Sequence, residues 1–153
     1  MLDIGVAGFG LRYRAFSIGI PYQAMSKILI IDDDRDYAES LKSMLEARSY
    51  HVTWAPDSVA AMKMIRSDLP DLIILDIMMS TIGEGLHLAY RLKSDPQYAH
   101  IPILILTGIA QRTGLKFDPQ DEAEFLPVDA YMEKSNDLDV LCTHIARMLK
   151  RLP

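Results

Sequence analysis

Three consecutive acids, Asp32-Asp33-Asp34, follow directly on the apolar run Ile28-Leu29-Ile30-Ile31, and a fourth, Asp76, follows a second such run, Leu72-Ile73-Ile74-Leu75. Carboxylates brought together repel one another unless a cation sits between them. Oxygen donors from one or two carboxylates plus waters suit Mg²⁺, which also accepts phosphate oxygens. Thr107 ends the run Ile103-Leu104-Ile105-Leu106, and Lys134 follows Tyr131-Met132-Glu133. A hydroxyl and an ammonium converging on an acidic metal pocket can donate to, and neutralise, the oxygens of a phosphoryl group. An Asp after a strand more commonly caps a helix or faces water. That is the reading for Asp36 and Asp34. Asp32, Asp33 and Asp76 read as functional because the other strand ends carry complementary polar groups.

These residues need a scaffold that brings four strand ends together. From Lys27 onward, short β-branched runs alternate with longer segments of helical period, the pattern of a parallel sheet covered on both faces. Five strands are expected: Ile28–Ile31, Val52–Trp54, Leu72–Leu75, Ile103–Leu106 and Ala130–Met132. The first, third and fourth are apolar on both faces and should lie in the centre. Apolar residues three and four apart, Tyr37, Leu41, Met44 and Leu45 in one segment and Leu138, Leu141, Ile145 and Met148 in another, predict helices with one buried stripe each. Asp57 and the Ser135-Asn136-Asp137 segment offer caps. Right-handed crossovers then give an α/β, flavodoxin-like (βα)5 fold with strand order 2-1-3-4-5. Its first and third strands end side by side, where open α/β sheets bind ligands. Residues 1–25 read as an N-terminal extension and 26–153 as the domain. Between Thr107 and Asp129, Gly108, Gly114, Pro119 and Pro127 interrupt the expected fourth helix, which should be short or irregular.

Composition narrows the classes. A chain of 153 residues, half of them apolar, can bury one core in one domain. A net charge of −5 with scattered Lys and Arg lacks the basic stripe of a direct nucleic-acid binder. Cys142 is the single cysteine, so no intramolecular disulfide forms, and it should be a small core residue in a reducing cytoplasm. No run approaches the roughly 20 apolar residues of a membrane span. Arg12 and Arg14 interrupt what would be the apolar region of a secretory signal.

On the ordered set Asp32-Asp33, Asp76, Thr107 and Lys134, the chain from about Lys27 to Leu149 resembles the receiver domains of bacterial two-component response regulators, of the chemotaxis-regulator kind. The resemblance implies that Asp33 and Asp76 hold Mg²⁺ with the backbone carbonyl of Met78, that Asp32 acts through a bound water, and that Asp76 is the phosphoryl acceptor. It implies that Thr107 and Lys134 contact the phosphoryl oxygens, and that Thr107 and Tyr131 form the switch. Tyr131 reads equally as an ordinary half-buried strand tyrosine. The expected role is in phosphorelay signalling rather than as an enzyme. The donor would be a phosphohistidine on a sensor histidine kinase or phosphotransfer protein. With no output domain expected after Pro153, the effect would pass to a downstream target protein, through the face made by the fourth and fifth helices and the last strand.

The sequence also departs from that family. Met79 is followed by Ser80-Thr81-Ile82-Gly83-Glu84-Gly85, without the usual proline and with an extra residue, so this loop is expected to be looser. Gly108 keeps the small residue after the switch threonine. Ser135 stands where a cis proline is usual. A cis bond without proline costs about 3 kcal/mol, so a trans bond and a shifted Lys134 are expected. Neither Met78 nor Ile109 can orient an attacking water strongly, which predicts slow loss of the phosphoryl group.

Three rival readings use the same residues differently. A haloacid-dehalogenase-type phosphohydrolase would use Asp32 as nucleophile and Asp34 as general acid. A dinucleotide-binding unit would begin at Gly5, Gly8 and Gly10, but Tyr13 replaces the third glycine of that fingerprint. A receiver-like binding module would keep the fold without cycling phosphate.

Overall fold

The structure, a computed structural model, describes residues 25–81, 83–108, 128–134 and 137–150. Along these residues the elements run β1 (Lys27–Ile31), α1 (Arg35–Glu46), β2 (His51–Ala55), α2 (Ser58–Ser67), β3 (Leu72–Leu75), α3 (Glu84–Ser94), β4 (Ile103–Thr107), β5 (Ala130–Glu133) and α4 (Leu138–Lys150). The strands pair in parallel in the order β2-β1-β3-β4-β5. The three runs that are apolar on both faces are therefore the central strands, as their composition requires. Four of the five strands extend by one residue at one or both ends beyond their apolar runs. Ladder bonds come from the backbone, so polar flanks such as Lys27 opposite His51 and Glu133 opposite Thr107 join the pairing.

Alternation along each strand builds two core layers. Leu29, Ile31, Ile73, Leu75 and Ile103 meet Ala61, Met62 and Ile65 of α2 and Leu88, Ala89 and Leu92 of α3. On the opposite face Ile28, Ile30, Leu72, Ile74, Leu104 and Leu106 meet Ala38, Leu41 and Leu45 of α1 and Leu141, Ile145 and Met148 of α4. Cys142 is half-buried at the margin of this second layer rather than inside it, because the adjacent Leu141 takes the inward position. The caps form as expected: Asp57 accepts from the Ala60 N–H at 2.7 Å, and Asp137 from the Val140 N–H at 3.3 Å. Among the described residues no helix is long and apolar enough to cross a membrane. The extension up to residue 24 and the interrupted segment 109–127 lie outside the described residues.

The start of β5 is fastened by one lysine. Lys93 Nζ donates to the carbonyls of Ala99 and Ile101 at 3.2 and 2.8 Å and pairs with Asp129 Oδ2 at 2.7 Å. The same Asp129 oxygen accepts the Ile103 N–H at 2.8 Å. Replacing Lys93 by Met leaves three oxygens with one donor fewer each in a part-buried corner. Lys93→Met is expected to cost about 1–3 kcal/mol, read as a lower urea midpoint at unchanged slope. A midpoint equal to the native one would show that water replaces the ammonium at no cost.

Candidate functional site

The site residues stand one step past their strands yet remain tied to the sheet. The Asp32 N–H donates to the Ala55 carbonyl at 3.1 Å, the Asp76 N–H to that of Ile31 at 2.9 Å, and the Lys134 N–H to that of Thr107 at 2.8 Å. Their side chains therefore emerge at one carboxyl edge with little backbone freedom.

Asp32 and Asp76 are held in the same way. Each accepts on Oδ1 from the N–H two residues on: Asp34 donates to Asp32 at 2.9 Å and Met78 donates to Asp76 at 2.8 Å. Local turns of this kind are a common use of short acidic side chains. Both remaining oxygens face Lys134, whose Nζ lies 2.6 Å from Asp32 Oδ2 and 2.9 Å from Asp76 Oδ2. The lysine reaches the pocket: its N–H donates to the Thr107 carbonyl and its ammonium bridges two buried carboxylates. The bond between Lys134 and Ser135 lies outside the described residues.

Charge and burial oppose one another here. Burial raises the Asp32 carboxyl above its usual range, and the hydrogen bond and charge of Lys134 pull it back. Burial likewise lowers the Lys134 ammonium, but Asp32 and Asp76 outweigh it and leave the group raised above its ordinary value.

One carboxylate oxygen from each of Asp32, Asp33 and Asp76 lies within 4.8 Å of the other two. Asp33 is exposed and the others are buried, so a hard cation would meet two fixed acids and one that can adjust. This donor set fits Mg²⁺. Asp34 takes no part: it is exposed and caps α1, accepting the Tyr37 N–H at 3.1 Å. An Asp34 committed to the helix end is not available as the general acid that the phosphohydrolase reading needs.

The Thr107 hydroxyl is fully buried and has no hydrogen-bond partner among the described residues. Buried polar groups are nearly always satisfied, so such a group beside Lys134 points to a ligand oxygen. Tyr131 is half-buried on β5, opposite Ile105 in the ladder. Met78 is half-buried, and Ile109 lies outside the described residues.

Several contacts escaped the sequence. The Tyr37 ring lies under Lys134 Nζ at 4.4 Å from its centroid, although helical periodicity marks Tyr37 only as part of a buried stripe. The Trp54 indole N–H donates to the Asp32 carbonyl at 2.8 Å, which braces the acidic loop from β2. Glu84 accepts from both the N–H and the hydroxyl of Ser58, at 3.1 and 2.8 Å, and joins the starts of α2 and α3. Gly85 lies so close under Asp76 that an added Cβ would stand 2.4 Å from the Asp76 carbonyl oxygen. The loop expected to be loose is pinned at its far end. Of these, only Gly85 carried a signal, as a glycine inside the first turn of a helix, where it otherwise costs stability.

Comparison with known proteins places this geometry. The family described as "Response regulator receiver domain" matches residues 28–146. Response regulator MprA of Mycobacterium ulcerans is 35% identical over 129 residues, covering 82% of this chain and 50% of that protein. Response regulator PleD of Caulobacter vibrioides is 37% identical over 87 residues, covering 57% of this chain and 19% of that protein. The chain thus spans about half the length of MprA or less of such relatives. Among solved structures, the receiver domain of a signal transduction histidine kinase from Syntrophus aciditrophicus superposes with a TM-score of 0.70 at 29% identity, covering 83% of this chain and 92% of that one. Response regulator TrrA of Thermotoga maritima, solved in complex with Mg²⁺-BeF, gives a TM-score of 0.67 at 28% identity, covering 81% and 99%. With the sheet order, the acidic pocket and the match over residues 28–146 in agreement, the chain belongs to the response regulator receiver domains of two-component signalling.

Proposed function

We propose that Asp76 accepts a phosphoryl group from a phosphohistidine on a sensor histidine kinase or phosphotransfer protein, with Mg²⁺ bound beside it. The observation that carries this reading is the convergence of two buried acids, a bridging ammonium and a buried hydroxyl without a partner among the described residues at one sheet edge. Asp32, Asp33 and Asp76, with the backbone carbonyl of Met78, would hold the ion, which when bound neutralises carboxylate and phosphoryl oxygens. In the transfer, an Asp76 carboxylate oxygen forms a bond to phosphorus as the phosphorus–nitrogen bond of the donor breaks, and its electron pair passes to the imidazole. The Met78 N–H orients the Asp76 carboxylate. The Lys134 ammonium, freed from Asp76 as the carboxylate becomes an acyl phosphate, turns to the phosphoryl group, and the Thr107 hydroxyl donates to it. Tyr131 would then couple Thr107 to a downstream protein partner. The chain would act in the cytoplasm without touching nucleic acid, in keeping with its net charge of −5. Residues 26–153 would form the receiver and 1–25 an accessory extension.

Incubation of the full chain with Mg²⁺ and a small acyl phosphate is expected to add one phosphoryl group, which peptide mapping places on Asp76. Asp76→Asn is expected to remove the label while leaving the fold intact, because the amide keeps the shape and loses the nucleophile. Label on Asp32 would restore the phosphohydrolase reading. No label on the native chain would favour a receiver-like module that does not cycle phosphate.

A further inference from the structure

We propose that Tyr37 is a positioning residue for Lys134: its ring keeps the ammonium in the acceptor pocket while a metal ion and the phosphoryl group take over the carboxylate oxygens. The inference rests on the acceptor reading of Asp76 given above.

The two oxygens that Lys134 holds, Asp32 Oδ2 and Asp76 Oδ2, belong to two of the three acids grouped for a cation. A divalent ion drawn to these acids competes with the ammonium for them and repels it. A lysine side chain is long and flexible, and its entropy favours escape to water. The Tyr37 ring lies 4.4 Å from Nζ and offers an attraction that the chemistry does not use up. It is neutral: burial raises its phenol above the ordinary value, with Lys134 opposing, so no proton loss turns it into a ligand near neutral pH.

The ring is also rigidly referenced to the site. Tyr37 sits in the first turn of α1, and its N–H donates to Asp34 Oδ1 at 3.1 Å. The Asp34 N–H in turn donates to Asp32 Oδ1 at 2.9 Å. These two bonds connect the first turn of α1, its cap and the acidic loop. A part-buried cation–ring contact of this kind is substantial on the scale of a single catalytic hydrogen bond.

The test compares Tyr37→Leu and Tyr37→Phe in the full chain. At saturating Mg²⁺, Tyr37→Leu is expected to label Asp76 about 3–10-fold more slowly, and Tyr37→Phe, which keeps the ring face, to stay within about twofold of native. Mg²⁺ affinity, followed by the fluorescence of Trp54, the single tryptophan and a donor to the Asp32 carbonyl, should not weaken in either variant. As a direct measure, Lys134 in Mg²⁺ should react faster with an amine-directed reagent in Tyr37→Leu than in native protein or Tyr37→Phe. Native rates and native Lys134 reactivity in Tyr37→Leu would overturn the proposal, as would equal loss in both variants or loss of Mg²⁺ affinity together with labelling. A native chain that takes no label on Asp76 would instead overturn the acceptor reading, and the positioning role with it.

Discussion

Lys134→Met is expected to abolish labelling of Asp76, to destabilise the metal-free protein by about 3 kcal/mol, and to bind Mg²⁺ at least about 10-fold more tightly. The ammonium bridges carboxylates that are 3% and 2% exposed, so its removal leaves two buried acids facing each other without a cation. Breaking a buried ion pair from one side is costly because the remaining charge keeps its desolvation penalty. The metal gains, since its competitor for those oxygens is gone, and Mg²⁺ should restore most of the lost stability by binding the folded state.

The pH dependence follows from the same groups. In the native chain Lys134 is raised above its ordinary 10.5, so its stabilising effect is complete below that value and is lost as pH climbs through the folded value. Asp32 is raised as well, above 3.8, which makes it a source of instability that grows as pH rises from 3.8 to its folded value, is complete above that value and vanishes below 3.8. Without Lys134 the Asp32 carboxyl loses the partner that restrains it and shifts further up. The variant's deficit should therefore be large at neutral pH and shrink on acidification. Thermal melts with and without Mg²⁺ at two pH values, with Mg²⁺ titrations beside them, measure all of this. A metal-free variant as stable as native at neutral pH, or one that still labels Asp76, would show that the ammonium is dispensable.

The second large effect is expected from Gly85→Ala. Helix propensity alone favours alanine by about 1 kcal/mol inside a helix. Here the sign reverses. An added Cβ would stand 2.4 Å from the Asp76 carbonyl oxygen and 2.7 Å from the Ile77 Cα. Both are backbone atoms of the loop after β3, and Asp76 is tied by its N–H to Ile31, so neither can yield cheaply. Overpacking of this kind costs about 1–3 kcal/mol or more. Because relief requires α3 or the loop after β3 to move, the rate of labelling at the proposed acceptor should fall with stability. Calorimetry and labelling kinetics check both halves. A more stable Gly85→Ala protein would mean that α3 slides away from the loop without strain.

The strand ends were legible in the sequence because a sheet covered on both faces demands unbroken apolar runs, and the first polar residue after each run marks the carboxyl edge. Asp32, Asp76 and Thr107 could be placed in this way, Lys134 stands one residue further on after Glu133, and the central position of β1, β3 and β4 follows from the same demand. Asp34 was legible as a cap from its place before a helical stripe, and it fills that role. What the sequence could not show was how these ends are held against one another. It placed Lys134 after the last strand, and only pairing with β4 shows that its ammonium lies across two carboxylates. Tyr37 carried the signature of a core residue, and only the rotation of α1 against the sheet sets its ring beneath the ammonium. Trp54 and Gly85 likewise gain their roles from β2 and α3 packing beside the loops that carry Asp32 and Asp76. Periodicity reports which side of an element is buried, because burial acts on every residue alike. The partner across a site is chosen by the register and tilt of whole elements, and those are decided by packing of the complete core.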